Sequence, residues 1–218
     1  MGHGRSYGQE SRIFFKKNSG IIQSGLWRYL EEEKSLPTVA WITDIGNDLG
    51  YEVPVQTVLK WVEGCWDRLR SHGARVVVSD LPLQVIESLN PTQYGLFRAL
   101  FFPKCRLELS EMIERARRLS DALQKMAAQR QTPIIIAQNQ WYGWDPIHPR
   151  RSSHAAICRE VLSAVVEEPA GRLRETHGIL QAWYLRQLRP EVCTWCGLQR
   201  RVRQPHGRFH DGTTIALF

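Results

Sequence analysis

A chain of 218 residues with 43% hydrophobic content is long enough to bury one core, and no apolar run approaches the roughly 18–20 residues of a membrane span. The first residues lack the apolar centre of a secretory signal, and five cysteines (65, 105, 158, 193 and 196) are an odd number scattered along the chain; reduced thiols and a cytoplasmic location are the expectation. The formal charge of +7, from 29 Lys+Arg against 22 Asp+Glu, admits anionic partners without requiring them. Much of the excess is arginine in 106–130 and after 172, where a solvated helix face is the simpler reading, so nucleic acid is not an expected partner.

In chain order, residues 1–12 carry glycines at 2, 4 and 8 and read as a loop around Ser6. Residues 21–23, between Gly20 and Gly25, read as a brief buried strand, and 26–34 as a helix. Pro37 opens a β-branched apolar run at 38–43, which breaks at Asp44-Ile-Gly-Asn-Asp48 and reads as a buried strand ending in a polar loop. Residues 55–72 show helical spacing (Val55, Val58, Leu59, Val62, Trp66, Leu69) and stop at Gly73. A second strand at 75–79 follows, completing a right-handed βαβ unit. Helices are predicted at 92–100, after Pro91, and at 110–129, where Met112, Ala116, Leu119, Leu123 and Met126 form one stripe. Residues 133–137 make a third apolar strand, so the order becomes βαβαβ: a parallel sheet with helices on both faces. Beyond it lie predicted helices at 152–166 and 172–188 and a basic tail with strand propensity at its end. The expected domains are an α/β domain over 1–168 and a C-terminal helix and tail over 169–218.

Ligands of open α/β sheets bind outside the carboxyl ends of the strands. Three polar clusters fall there: Asp44 to Asp48, Asp80, and Asp145 to His148 within Trp141-Tyr-Gly-Trp-Asp-Pro-Ile-His-Pro149. Pro146 and Pro149 fix two backbone angles in that last stretch, so the Asp145 carboxylate can accept the Nδ1 proton of His148 and leave Nε2 as a general base. Gly46-Asn47-Asp48 allows a sharp turn, and the Asn47 amide can offer donors to an oxyanion.

Gly4-Arg5-Ser6, Gly25, Gly46-Asn47-Asp48 and Asp145-Pro146-Ile147-His148 together resemble the blocks of the SGNH (GDSL-like) hydrolase superfamily, over residues 1–165. The resemblance implies a three-layer flavodoxin-like sheet and ester hydrolysis without a cofactor, on a small-molecule or acylated substrate. In it Ser6 is the nucleophile, His148 the base and Asp145 its orienting group. The oxyanion hole would combine the Ser6 and Gly25 backbone N–H groups with the Asn47 side chain, Gly20 being the alternative to Gly25. Two departures stand out: Arg5 replaces the family's Asp before the nucleophile, and no hydrophobic first strand precedes Ser6, so either the chain starts late, the fold dispenses with that strand, or Ser6 is not held in place. A non-catalytic relative is the alternative.

Other constellations compete. Trp141, Tyr142 and Trp144 beside Asp145 are candidates for substrate contact. Cys193, Cys196, His206 and His210 have ligand types for zinc, with a middle spacer shorter than a zinc finger's. Asp44, Asp48, Asp80, Asp145 and His148 could instead surround a divalent metal, as in a phosphoesterase.

Overall fold

The computed structural model describes residues 1–2, 6–13, 16–33, 37–165, 178–195 and 198–218. By its contacts the chain forms two units, one of Met1–Leu36 with Arg174–Phe218 and one of Pro37–Leu173. The sequence drew its boundary at 168 and kept the first 36 residues with the α/β domain; the contacts group them with the C-terminal segment instead.

In the first unit β1 (Ser11–Ile13) and β2 (Lys16–Asn18) pair antiparallel, and α1 (Leu26–Glu32) buries Trp27. The predicted strand at 21–23 is a 3-10 turn: Gln23 and Ser24 N–H bond back to the Gly20 and Ile21 carbonyls, and Ile21 and Ile22 N–H bond to the Ser6 and Tyr7 carbonyls. With those four groups spent locally, no ladder can form on them.

The second unit is α/β. Its strands are β3 (Val39–Ile42), then, after the single helical turn α2 (Asn47–Gly50) and the long α3 (Val55–Ser71), β4 (Arg75–Ser79). The helices α4 (Leu83–Glu87), α5 (Pro91–Phe101) and α6 (Leu109–Gln129) lead to β5 (Ile134–Ile135) and α7 (His154–Ser163). The three strands form a parallel sheet in the order β3-β4-β5, as the apolar runs predict. The ladder of β5 is shorter than its run: Pro133 has no N–H, and only its carbonyl joins, accepting from Val78 N–H at 3.1 Å. Beyond the ladder Ile136 is 51% exposed.

Alternation along the strands sends Val76 and Val78 to one face and Val77 to the other. Val77 joins Ile135, Trp141, Ile157 and Val161 in a cluster under α7. α3 and α6 pack on each other and bury Val58, Val62 and Trp66 from one, Leu119 and Leu123 from the other. α3 stops where its sequence says it should, at Gly73 with φ +73°. α5 starts with a capping box, Asn90 accepting from Gln93 N–H at 2.9 Å while the Gln93 side chain accepts from Asn90 N–H.

The first unit resumes with α8 (Ile179–Gln187), the hairpin β6 (Val192–Trp195) and β7 (Leu198–Arg201), and the small pair β8 (Gly207–Arg208) and β9 (Thr214–Ile215). β6 pairs with β2, giving an antiparallel sheet β1-β2-β6-β7 where the sequence placed a basic tail. The part of the predicted 172–188 helix before 178 lies outside the described residues. No described helix is long and apolar enough to cross a membrane.

Asp80, directly after β4, ties the sheet to α6. Its Oδ1 accepts from Leu81 N–H at 2.7 Å, and its Oδ2 accepts from Ser120 Oγ at 2.8 Å and Gln124 Nε2 at 2.7 Å. The residue is 8% exposed, so removing the carboxylate leaves the donors of Leu81 and Ser120 without partners away from water. Asp80→Ala should therefore cost about 3 kcal/mol in urea denaturation, against about 1 kcal/mol for removing the exposed cap in Asn90→Ala. The reverse order would contradict this account of the sheet–helix tie.

Candidate active site

The parallel sheet brings the predicted clusters of the second unit to one rim, because the segments leaving β3, β4 and β5 all emerge at the strands' carboxyl ends. Around them opens a cavity of about 410 Å³, with Asp44, Asn47, Asp80, Tyr142, Ile147 and Pro149 among its walls.

The turn after β5 is organised by Asp145. Its Oδ1 accepts from Ile147 N–H at 2.8 Å and from His148 N–H at 3.2 Å, and its Oδ2 lies 2.9 Å from His148 Nδ1. Pro146 between them has no N–H to compete and holds φ where the carboxylate can reach both amides. The loop is closed by Arg150 N–H, which donates to the Trp141 carbonyl at 2.6 Å. Partial burial pushes the Asp145 carboxyl up, but the Ile147 N–H, the His148 ring and the His148 N–H pull it further down, leaving it below the ordinary carboxylate value. A carboxylate can only accept, so Nδ1 carries the proton of that bond. Nε2 is then the ring's open lone pair, and it bonds to no other described residue.

Asp44 sits at the end of β3 with φ 59°, the left-handed region that Asp tolerates better than most residues. Solvent reaches it at the cavity mouth, yet the surrounding protein raises its pKa, an effect opposed by the nearby His148 imidazole. Asp44 in turn adds to the burial that pushes the Tyr142 hydroxyl up to about 12. Asn47 opens α2, and its side-chain amide, on the cavity wall, makes no hydrogen bond to another described residue. Asp48 beside it is fully buried.

Ser6 and Gly25 belong to the first unit. Ser6 is 1% exposed, and its Oγ accepts from Gly8 N–H at 3.2 Å and Gln9 N–H at 2.7 Å. Gly25 precedes α1, where a Cβ would collide with the Glu191 carboxylate; at Gly20 a Cβ would stand 2.6 Å from the Gly8 backbone. Packing thus requires a glycine at Gly20, where the obstacle is backbone, whereas at Gly25 the obstacle is the end of a flexible side chain. Gly4 and Arg5 lie outside the described residues.

The three aromatic candidates part company. Trp141 is 5% exposed in the core cluster under α7 and also borders the cavity, and Tyr142 borders it half-buried. Trp144 is 63% exposed and packs on Phe97 with ring centroids 4.7 Å apart. Phe97 and Phe101 of α5 escaped the sequence reading: Phe101 lies 6.0 Å from the His148 ring, and the signal was their i, i+4 spacing on the helix.

The metal readings gain no geometry. Among the described residues no three His, Cys, Asp or Glu side chains are grouped to hold an ion, and Asp80 spends its oxygens on Leu81, Ser120 and Gln124. Of the zinc candidates, Cys196 lies outside the described residues, Cys193 Sγ approaches the Pro190 carbonyl, and His206 Nδ1 accepts from Arg189 N–H at 3.0 Å.

Because Asp145 titrates below its unfolded value of about 3.9, its bonds stabilise the fold above that value and are lost as pH falls through the folded pKa. The native chain should melt slightly higher than Asp145→Asn at about pH 7, and the difference should shrink as pH falls below the unfolded value and through the lower folded one. A constant difference across that range, followed by circular dichroism, would contradict the charged turn. The chain matches no protein-family model, curated protein or solved structure, so the reading of the site rests on its geometry.

Proposed function

We propose that the protein is a serine hydrolase acting on ester bonds, with an SGNH-type three-layer fold. The observation that carries this reading is the Asp145–His148 pair: a carboxylate fixes one imidazole nitrogen at 2.9 Å and leaves the other open, at a sheet rim where the uncommitted Asn47 amide borders a cavity. In this scheme a serine Oγ, the role that the resemblance gives to Ser6, attacks the ester carbonyl while its proton passes to His148 Nε2. The tetrahedral intermediate collapses, and the leaving alcohol takes that proton. Water, deprotonated by His148, then attacks the acyl-enzyme, releasing the acid and restoring the serine. The Asn47 amide, uncommitted on the cavity wall, stabilises the oxyanion. No cofactor enters the scheme. Among the described residues four free thiols, at Cys65, Cys105, Cys158 and Cys193, support a reducing, cytoplasmic setting.

A second reading, a non-catalytic relative that binds a ligand at the same rim, is favoured by one observation: Ser6 is 1% exposed with its Oγ held by two backbone N–H groups.

A fluorophosphonate probe separates the two, since labelling needs an activated nucleophile rather than a hydroxyl. The native chain should be labelled and Ser6→Ala should not; a folded, monodisperse protein that stays unlabelled supports the binding protein. On p-nitrophenyl butyrate, Asp145→Asn should lower kcat by about 10²–10⁴, and His148→Ala by at least as much. Turnover unchanged by both substitutions would remove the proposed base.

A further inference from the structure

We infer that the cavity of the second unit takes an unbranched hydrocarbon chain, so that the substrate is an ester of a medium-length acyl group rather than an acetylated sugar. The inside wall is apolar, built by Ile86, Leu89, Phe97, Phe102 and Met112 from the segment that carries α4, α5 and α6. Most polar groups on the walls have protein partners. Tyr94 Oη and Arg98 both donate to the Leu107 carbonyl at 2.9 Å, Asp80 is saturated by Leu81, Ser120 and Gln124, and Trp41 Nε1 donates to Ser79 Oγ at 2.7 Å. A sugar hydroxyl entering there would lose its water for no new bond, a cost a methylene does not bear. Of the uncommitted polar side chains, Asp44, Asn47 and Tyr142 stand where the chain leaves β3 and β5, and the exposed His154 and Cys158 lie on α7. None of them belongs to the apolar wall of α4, α5 and α6, which suits a ligand with one polar end and one apolar tail. At about 410 Å³ the space lies within the roughly 300–1,000 Å³ of small-molecule pockets. The apolar interior stands by itself; only the placing of the carbonyl end beside Asn47 and His148 rests on the hydrolase reading.

Two carboxylates at the rim, Asp44 and Asp145, would repel a fatty acid, so neutral alcohols are the cleaner probes. The experiment is displacement of Nile red from the full chain by the series butanol, hexanol, octanol and decanol, with N-acetylglucosamine as the polar control. The expected result is saturable displacement whose Kd tightens about fourfold per added methylene, with no displacement by the sugar. Ile86→Trp and Met112→Trp, two half-buried wall positions on different helices, should each weaken decanol at least tenfold; two variants keep the test informative should one not fold. Absence of saturable displacement, affinity independent of chain length, or decanol binding unchanged in a folded wall variant would overturn the inference. Alcohol binding requires no nucleophile. Chain-length-dependent binding in a protein that fluorophosphonate leaves unlabelled would keep this inference and discard the hydrolase; labelling without chain binding would do the reverse.

Discussion

The central strand of the parallel sheet is hydrogen-bonded on both edges and covered on both faces, and the rest of the α/β unit follows from that. Val76, Val77 and Val78 are at most 5% exposed, so the strand cannot shift by one residue without sending its two faces' side chains into the wrong layers. Its register sets Trp41 opposite Val77 and Ser79 opposite Ile135. The carboxyl ends of all three strands then fall at one level, and the segments that leave them must turn within a few residues of one another. Asp80 fastens that level to α6 through Ser120 and Gln124.

The site is held by short-range bonds of the same kind. One carboxylate, Asp145, accepts from two backbone amides and one imidazole within four residues, so the orientation of His148 does not depend on a distant partner. The side chains are only partly sheltered, at 55% exposure for His148 and 35% for Asp145, which leaves the imidazole open to a ligand while screening the pair from acting as a large stability element. Asp44, in its left-handed conformation, adds a second carboxylate near the imidazole, on the side of β3. The unfavourable backbone there accords with the tendency of such outliers to gather at functional sites.

Much of this was legible in the sequence because it is encoded locally. The apolar β-branched runs, the period of α3 with Gly73 behind it, and Pro91 before α5 each carry their signal within a few residues. The Asp145–His148 bond was legible for the same reason: three residues and two prolines leave few alternatives. In α6 the stripe was nearly right, but the buried line runs through Ala116, Leu119, Ser120, Leu123 and Ala127, because Asp80 recruits Ser120 to the inside. The antiparallel sheet of the first unit was not legible, since β2 and β6 are remote in sequence and pairing between such segments leaves no local mark. Nor were the cavity and the Phe101–His148 contact, which depend on how α4, α5 and α6 stack against the rim.

The most direct test of the central claim is the tautomer of His148, read from the nitrogen chemical shifts and long-range proton–nitrogen couplings of its ring at a pH where the imidazole is neutral. A ring fixed by Asp145 should show a protonated Nδ1 and an unprotonated Nε2, and Asp145→Asn should abolish that preference. A native ring protonated at Nε2, or a tautomer indifferent to Asp145→Asn, would contradict the account of His148 as an oriented base.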